Sequence, residues 1–462
     1  MIRLFKHYVP HTVLLLGLID FVLLLLAGEA GWLLRLWQVA GEADPSASRL
    51  PHLVTFAVTL QLAMVGVGVY GVDSLQSMRI AAARLVVATS LGFILLSLVF
   101  FLLPAVTFWR SNLFYAMVFA LAGLFAARLL LGRTLGSEAF KRRLLVLGAG
   151  PRAARIELLA RREHSGFVVV GYIGMNDGAI AVERAINRAD IANLTDHVVR
   201  LGASEVVLAL EERRNALPLA DLLRIKTTGV HVNELSSFLE RETGRVDLDT
   251  VNPSWLIFSD GFSSGRRISS AGKRLFDIAV SATILAFALP IIAVTALAVK
   301  LESRGPAFFR QRRVGLYGQH FEILKLRSMR QDAEVGGIAV WAQKDDPRVT
   351  RVGHVIRKLR IDELPQAWTV LRGQMSLVGP RPERPQFVAD LEARLPYYAE
   401  RHVVKPGITG WAQINYPYGA SIDDARQKLE FDLYYAKNYT PFLDLLILLQ
   451  TVRVVLWPEG AR

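Results

Sequence analysis

The sequence predicts a membrane protein of three consecutive regions: a four-helix transmembrane region, a doubly wound α/β domain, and a basic region with one more long apolar segment. Of its 462 residues, 52% are hydrophobic, and the mean hydropathy is +0.33. The 54 Lys and Arg outnumber the 41 Asp and Glu, which gives a formal net charge of +13. Long uncharged runs beside such a basic surplus are typical of a membrane protein with basic cytoplasmic loops.

The composition excludes several kinds of site. The chain has no cysteine, so a disulfide scaffold, a thiolate zinc site and a cysteine nucleophile are all excluded. A high apolar content without low-complexity tracts excludes a disordered chain. Because the basic surplus accompanies apolar spans, we expect no nucleic acid as a partner and look instead for anions at a membrane.

Residues 1–135 are predicted to form four transmembrane helices, since roughly 20 helical residues cross a bilayer core. The predicted spans are Thr12–Trp37, His52–Val72, Leu85–Ala105 and Ser111–Ala127, the last continuing to Leu131. Lysines and arginines precede the first span, lie between the second and third, and follow the fourth. This distribution places both ends of the region in the cytoplasm.

Two residues of the first span need comment. Glu29 is incompatible with the small-residue cleavage site of a signal peptide, which is the alternative to a span here. Asp20 is either a functional polar residue or a buried helix contact. We favour the buried contact, because no partner charge is evident in the other spans.

Residues 143–260 alternate between strand and helix patterns, which predicts a small doubly wound α/β domain. The predicted strands are Arg143–Leu147, Phe167–Ile173, Glu205–Leu210 and Val230–Val232. The predicted helices between them are Ala153–Arg162, Ile191–Leu201 and Leu217–Thr228.

The first strand of this domain ends in a Gly-x-Gly-x-x-Ala turn, Gly148 to Ala153, which makes the domain Rossmann-like. The acidic residue expected about 20 positions later is missing, because Val170 stands there, and Asp177 lies further along the chain. Nucleotide binding therefore stays open. The alternative, which we favour, is a tight turn in a domain used for regulation or for dimerisation, so a homodimer is one expected assembly.

The third region carries most of the positive charge. Residues 261–462 contain 29 Lys and Arg against 19 Asp and Glu, and the segment from Lys300 to Arg360 contains 14 against 6. Such a concentration predicts a site for phosphates or for an anionic membrane surface.

A fifth apolar segment, Ile278–Val299, is long enough to cross a bilayer but has basic residues at both ends, Lys273 and Arg274 before it and Lys300 and Arg304 after it. Both ends are therefore expected on the cytoplasmic side. Pro290 lies near the middle and bends a helix. We predict a re-entrant helix over residues 276–299; the alternative is an ordinary kinked span.

Asp362 and Glu363 are the two acidic residues at the centre of the most basic stretch. Neighbouring cations favour an ionised carboxylate, so Asp362 is a candidate nucleophile toward a phosphate. Glu363 is a candidate ligand for Mg²⁺, which prefers oxygen donors. The alternative is a solvated helix face. Arg381 lies between Pro380 and Pro382, which fix φ on both sides of it and so pre-organise its guanidinium. The alternative is a rigid turn with an arginine on the surface.

A series of ordered motifs resembles the bacterial sugar transferases, which are polyprenyl-phosphate glycosyl-1-phosphate transferases of the monotopic class. The motifs run from Lys273 to Tyr435. They are Lys273-Arg274-x-Phe276-Asp277, Gln311-x-Arg313-x-Gly315, Lys325-x-Arg327-Ser328-Met329, Asp346-Pro347-Arg348, Asp362-Glu363-Leu364-Pro365-Gln366, Val378-Gly379-Pro380-Arg381-Pro382, Arg401-His402, Pro406-Gly407-x-Thr409-Gly410-Trp411-Ala412-Gln413 and Asp432-x-Tyr434-Tyr435. The four spans and the α/β domain resemble the long-form members, which initiate exopolysaccharide or O-antigen-type glycans.

The resemblance implies an enzyme whose catalytic α/β domain covers residues 267–462 and carries the re-entrant helix. Asp362 would attack a UDP-sugar and release UMP, and would then pass the sugar phosphate to undecaprenyl phosphate, with Glu363 holding Mg²⁺. Substrate contacts are implied for the following residues: Lys273 and Arg274 at the lipid headgroup, Arg357 and Arg381 at the phosphates, and Arg313, Lys325, Arg327 and Asp432. Structural roles are implied for Pro290, Pro380 and Pro382.

The implied location is the bacterial cytoplasmic membrane, in contact with membrane lipids and with the catalytic domain facing the cytoplasm. Two other functions stay open. One is a non-catalytic scaffold for polysaccharide assembly, which the intact Asp362 and Glu363 disfavour. The other is a nucleotide sensor acting through Gly148–Ala153, which the missing acidic residue disfavours.

Overall fold

The computed structural model describes most of the chain, in two compact units. It describes residues 2–4, 7–9, 11–39, 46–70, 78–132, 141–162, 165–175, 180–211, 217–251, 267–331, 333, 347–417, 419 and 421–456. One unit comprises residues 1–4 and Tyr8–Gly244, and the other comprises residues 5–7 and Arg245–Arg462. Asp177 and Asp346, singled out in the sequence, lie outside the described residues.

The first unit begins with four long apolar helices, as predicted. After two short strands, β1 (Ile2–Leu4) and β2 (His7–Val9), the helices are α1 (His11–Val39), α2 (Ser46–Val67), α3 (Met78–Leu102) and α4 (Arg110–Gly132). A 3₁₀ turn, Pro104–Val106, precedes α4. Each helix is long and apolar enough to cross a membrane. Their shared core includes Leu24, Phe56, Leu60 and Leu124, all fully buried.

Asp20 is a fully buried helix contact, as expected, but it does have a partner charge. The Arg128 guanidinium donates to both Asp20 carboxylate oxygens, at 2.9 and 2.7 Å, and so joins α1 to α4. The expectation that the other spans offer no partner was wrong, because Arg128 had been counted only as a loop charge. Breaking such a buried pair from one side costs about 3–5 kcal/mol, so it helps to fix the pairing of α1 with α4.

The rest of the first unit is a five-stranded parallel sheet with helices on both faces. In spatial order the strands are β5 (Ala185–Asn187), β4 (Phe167–Gly174), β3 (Arg142–Leu147), β6 (Glu205–Leu208) and β7 (His231–Glu234). The helices are α5 (Pro151–Ala160), α6 (Leu194–Arg200), α7 (Leu219–Thr227) and α8 (Leu235–Thr243), and a 3₁₀ turn covers Arg188–Asp190. The predicted α/β architecture is confirmed, although the sequence analysis missed β5 and α8.

Alternation along β3 explains the two-faced packing. Leu144 and Val146 enter one core, with Phe238 of α8, whereas Leu145 and Leu147 enter the other, with Leu194 of α6. Successive strand residues point to opposite faces, so a strand covered on both sides is apolar throughout.

The glycine turn after β3 is held by hydrogen bonds to other residues of the α/β domain. Gly148 has φ +119°, which favours glycine, and the carbonyl of Ala149 accepts from the amide of Ala181 at 2.7 Å. Arg152 donates to the carbonyl oxygen of Leu210 at 2.6 Å. These contacts account for the turn as a structural element, and nucleotide binding there stays a prediction.

The second unit contains two small sheets and a shell of helices. β8 (Phe308–Val314) and β9 (His320–Leu326) form an antiparallel hairpin, and β10 (Ser376–Val378) pairs in parallel with β11 (Gly407–Thr409). The helices are α9 (Arg267–Glu302), α10 (Arg351–Lys358), α11 (Gln366–Leu371), α12 (Pro385–Arg394), α13 (Trp411–Asn415), α14 (Ile422–Asn438) and α15 (Pro441–Leu456). Three 3₁₀ turns cover Leu316–Gly318, Ile361–Glu363 and Tyr398–Val403.

The core of the second unit is built around α14, whose Tyr434 and Tyr435 are fully buried. Val246, Leu248 and Val251 pack into this same core, although they lie within the range 143–260 that the sequence analysis gave to the α/β domain. That three-domain division stays a prediction, and the described chain divides at Gly244.

The apolar helix α9 has one face against the second unit and one face uncovered. Ala288, Ile292 and Val299 are buried in a cluster with Leu326 and Ile356. Phe287 is 79% exposed and Val294 70% exposed on the other face. Pro290 lies inside the helix, and α9 is also long and apolar enough to cross a membrane.

Candidate active site

Asp362 and Glu363 lie on a short 3₁₀ turn, Ile361–Glu363, between α10 and α11. Arg360 starts this turn with φ +54°, a left-handed conformation that is costly for a residue with a side chain. Asp362 and Glu363 are adjacent on this turn, and their side chains point to different surroundings. The solvated helix face considered above is therefore not what the structure has.

Glu363 is the most firmly held of the two carboxylates. Its Oε1 accepts from Lys325 Nζ at 3.1 Å and from Arg381 Nη2 at 2.7 Å, and its Oε2 lies 3.7 Å from Arg360 Nη1. Burial opposes the ionisation of Glu363, but the charges of Arg381 and Lys325 outweigh it and hold its pKa well below the usual range. Glu363 is therefore held in its ionised form, with hydrogen bonds from two cations on Oε1 and the Arg360 guanidinium near Oε2.

Asp362 is different, because its carboxylate accepts no hydrogen bond from any of the residues that the structure describes. Burial and the charge of Glu363 raise the pKa of Asp362, and the charges of Lys325, Arg357 and Arg381 lower it, with a net upward shift. The neighbouring cations favour the ionised form, as expected, but burial and the charge of Glu363 outweigh them. An unbonded carboxylate beside cations is suited to nucleophilic attack on an anion.

Two cations come to the carboxylates from opposite parts of the unit. Lys325 extends from β9, and burial lowers its pKa. Arg381 comes from the loop after β10, between Pro380 and Pro382, and its side chain is 38% exposed, so it can also contact a ligand. Arg357, in the last turn of α10, adds its charge to the surroundings of Asp362.

Glycines allow the Arg381 loop to lie where it does. A Cβ on Gly379 would overlap the Lys405 carbonyl oxygen, and a Cβ on Gly407 would overlap the amide nitrogen of Gly379. A Cβ on Gly410 would overlap the carbonyl oxygen of Gly379. The two glycine-containing motifs are thus explained by one close backbone contact between the ends of β10 and β11.

Three predicted substrate-binding cations are not at the carboxylates. Lys273 and Arg274 lie at the start of α9, where Lys273 Nζ contacts Asp444 at 2.5 Å and Arg274 donates to the carbonyls of Val370 and Leu371, each at 2.6 Å. Both therefore attach the start of α9 to the second unit.

Arg327 lies at the other end of α9 and is 7% exposed. Its guanidinium donates to the carbonyls of Arg304 and Ser303, both at 2.8 Å, and of Val299 at 3.3 Å. Val299 lies in the last turn of α9, where its carbonyl also accepts from the Ser303 amide at 3.3 Å, and Ser303 and Arg304 directly follow the helix. Arg327 therefore caps α9 and attaches its end to β9.

The last two predicted substrate contacts lie behind the Arg381 loop. Arg313 donates to the Pro382 carbonyl at 3.0 Å, and Asp432 is 2% exposed and pairs with Arg401 at 2.8 Å. Burial outweighs the charge of Arg401 and raises the pKa of Asp432 to about 6. The sequence analysis gave no role to Arg360 or Arg401, although Arg401 belongs to one of the quoted motifs.

A metal ion at this site would have few protein ligands. Among the described residues, no three His, Asp or Glu side chains are grouped to hold one. Glu363 Oε2 accepts no hydrogen bond from the described residues, and its charged neighbour among them is Arg360, 3.7 Å away. One carboxylate oxygen fits Mg²⁺, which is commonly bound by one or two carboxylates together with substrate phosphates.

Comparison with known proteins matches the region that contains this site to a protein family. A model of the family described as "Bacterial sugar transferase" matches residues 268–458. An N-acetylgalactosaminephosphotransferase of Aeromonas hydrophila, named for UDP-N-acetylgalactosamine and undecaprenyl phosphate, is 46% identical over 232 residues, which are 50% of this chain and 53% of that protein. A UDP-glucose:undecaprenyl-phosphate glucose-1-phosphate transferase of Caulobacter vibrioides is 45% identical over 41% of this chain and 71% of its own.

A third relative extends the coverage. An uncharacterised sugar transferase of Bacillus subtilis is 44% identical over 194 residues, which are 41% of this chain and 90% of that protein. The chain thus spans about half the length of the Aeromonas relative and nearly the whole of the Bacillus one.

Proposed function

Because this chain belongs to the bacterial sugar transferase family, we propose that it transfers a sugar-1-phosphate from a UDP-sugar to undecaprenyl phosphate. The observation that carries the proposal is the contrast between the two carboxylates. Asp362 is unbonded among the described residues, while Lys325 and Arg381 hold the adjacent Glu363. A nucleophile, a fixed anion and at least two cations thus meet at one turn.

In the first step, a carboxylate oxygen of Asp362 attacks the sugar-linked phosphorus of the UDP-sugar. A bond forms between Asp362 and phosphorus, the bond from phosphorus to the UMP oxygen breaks, and UMP leaves. Two anions must approach each other, so the charges of Lys325, Arg357 and Arg381 are needed to offset their repulsion.

In the second step, a phosphate oxygen of undecaprenyl phosphate attacks the same phosphorus atom. The bond to Asp362 breaks, the carboxylate is regenerated, and the product is a polyprenyl diphosphate sugar. This product would initiate an exopolysaccharide or O-antigen-type glycan. Arg381 is 38% exposed at its side chain and suited to bidentate contact with phosphate oxygens in both steps.

Glu363 would hold Mg²⁺ through Oε2, the oxygen that Lys325 and Arg381 leave without a hydrogen bond. When bound, the ion would neutralise charge on the diphosphate. Lys325 and Arg381 keep Glu363 ionised, so the ligand is present without a proton to displace.

The same proposal places the second unit at the cytoplasmic face of the bacterial inner membrane, with α9 as a re-entrant helix. Support comes from both ends of α9. Lys273 and Arg274 bond its start, and Arg327 bonds its end, to the second unit. Because both ends of α9 are hydrogen-bonded to the rest of one compact unit, we expect both ends to lie on the same side of the membrane. Pro290, inside the helix, provides a position at which it can bend.

The test is release of UMP by purified chain in detergent, with labelled UDP-N-acetylgalactosamine or UDP-glucose and undecaprenyl phosphate. These donors are chosen from the names of the Aeromonas and Caulobacter relatives. We expect UMP release with one of them, its loss in Asp362→Asn, and no change in Asp390→Asn, an exposed carboxylate 52% accessible at its side chain.

Two results would count against the proposal. Wild-type chain that releases no UMP with any UDP-sugar, with Mg²⁺ present, would favour the scaffold interpretation. UMP release that survives Asp362→Asn would reject Asp362 as the nucleophile.

A further inference from the structure

We propose that Arg401, held by Asp432 and Tyr398, is a positioning residue that fixes the backbone of Arg381 and thereby aims its guanidinium at the active site. Arg313 is proposed to do the same for the next residue, Pro382. The proposal rests on the proposed function for its kinetic test, but its geometry is independent of that function.

The first observation is that four consecutive carbonyls of the Arg381 loop each accept a hydrogen bond, and the donors come from three parts of the unit. The Pro380 carbonyl accepts from the Gly407 amide at 2.9 Å, and the Arg381 carbonyl from Arg401 Nη2 at 2.9 Å. The Pro382 carbonyl accepts from Arg313 Nη1 and the Glu383 carbonyl from the Val314 amide, each at 3.0 Å. Such a run leaves this stretch of backbone little freedom.

The second observation is that two further partners, besides the loop carbonyl, fix the Arg401 guanidinium. Its Nη1 donates to the Tyr398 hydroxyl at 2.6 Å, and its Nη2 lies 2.8 Å from Asp432. Arg401 and Asp432 are 6% and 2% exposed, so neither is open to a substrate. Their burial is hard to reconcile with direct substrate contact and fits a supporting role.

The third observation is where the loop directs the Arg381 side chain. With Pro380 and Pro382 restricting φ and the carbonyls held, Arg381 reaches Glu363 at 2.7 Å. A displacement of about 1 Å in such a group is enough to cost roughly 100-fold in rate. The Arg401–Asp432 pair thus acts on the reaction through Arg381, although it touches neither carboxylate.

A double-mutant cycle tests this in the full-length chain in detergent, with UMP release as the readout. Arg401→Met in the otherwise wild-type chain should lower kcat/KM by roughly 100-fold. In an Arg381→Ala chain the same substitution should lower it less than about twofold, because no guanidinium remains to be aimed. Equal fold losses in both backgrounds, or no loss in the first, would overturn the proposal.

The matched control is Arg394→Met, an exposed arginine paired with Asp390, which should change neither background. If Arg401→Met fails to fold, Tyr398→Phe replaces it in the cycle, since it removes only the hydroxyl that accepts from Arg401. Its loss should be smaller but should vanish in the Arg381→Ala chain in the same way.

Hydrogen exchange provides a readout that does not depend on turnover. Amide exchange at Gly407 and Val314, whose N–H groups donate to the Pro380 and Glu383 carbonyls of the loop, should speed up in Arg401→Met or Tyr398→Phe and stay unchanged in Arg394→Met. Unchanged exchange at these two amides would overturn the proposal even if the Arg381→Ala chain is too slow to assay. Wild-type chain without UMP release, but with faster exchange in the variants, would reject the proposed function and keep the positioning role.

Discussion

Lys325 and Arg327 lie two residues apart in one motif, yet they serve two different regions of the second unit. Lys325 reaches Glu363 at 3.1 Å, whereas Arg327 caps the end of α9 through three backbone carbonyls. Arg381 and Arg274 differ in the same way, since one meets a carboxylate and the other the C-terminal carbonyls of α11. Positive charge in a motif therefore indicates an anionic partner without saying whether it is a carboxylate, a substrate or a helix end.

Lys325→Met is the substitution with the largest expected effect on activity. Removing one cation that faces the reacting groups should lower UMP release by about 100-fold or more. The protein should still fold, because Arg381 continues to pair with the buried Glu363. Kinetics and a thermal unfolding curve in the same detergent check this, and a large loss of stability with activity retained would place Lys325 among the anchoring residues instead.

Arg327→Met is the matched substitution two residues away, and it should affect stability first. It removes the side-chain donor from the carbonyls of Ser303 and Arg304, while the Val299 carbonyl keeps the Ser303 amide, and we expect a cost of about 3 kcal/mol in unfolding free energy. Activity per folded molecule should stay close to wild type. A stable Arg327→Met protein with 100-fold lower turnover would contradict the division between anchoring and reacting cations.

Arg274→Met should give a smaller loss of stability, about 1 kcal/mol, because one of the two carbonyls that lose Arg274, that of Val370, keeps the Gly373 amide at 2.9 Å. Unfolding of this variant and of Arg394→Met should be compared side by side. A change in the KM for the lipid substrate at unchanged stability would instead support the headgroup contact that the sequence predicted for Arg274.

The smallest effect is a shift in pH dependence. Asp362 attacks as an ionised carboxylate, and its pKa is raised, so the first step should slow as the pH falls through that pKa. The Lys325 charge lowers the pKa of Asp362. In Lys325→Met the fall in rate on the acidic side of the pH–rate profile should therefore occur at higher pH, while Arg394→Met should leave the profile unchanged. A shift of this fall to lower pH would contradict the assignment of Asp362 as the ionised nucleophile.

The sequence predicted the elements well wherever one pattern decides the structure. Apolar runs of about 20 residues located α1 to α4, and apolar strands located β3, β4 and β6. Short elements such as β5 were missed, because three residues carry no usable periodicity. The Asp20–Arg128 pair was missed because it joins residues 108 positions apart, a distance that no local pattern reports.

At the site, the sequence identified the residues but not their tasks. The motif that contains Asp362 and Glu363 was correctly placed among cations, yet the pKa shift of Asp362 depends on burial, which a charge count does not contain. Substrate contacts of Arg313 and Asp432 were implied by the family resemblance alone. Their bonds to Pro382 and Arg401 depend on the three-dimensional path of the loop.

The central claim is that Asp362 forms a bond to the sugar phosphate before the lipid arrives. Its most direct test is mass spectrometry of the protein incubated with UDP-sugar and Mg²⁺ but without undecaprenyl phosphate. The account predicts a sugar-phosphate adduct on the peptide that contains Asp362, with UMP released in equal amount and the adduct lost on addition of undecaprenyl phosphate. Turnover with both substrates present, but with no adduct and no UMP in the absence of lipid, would contradict it.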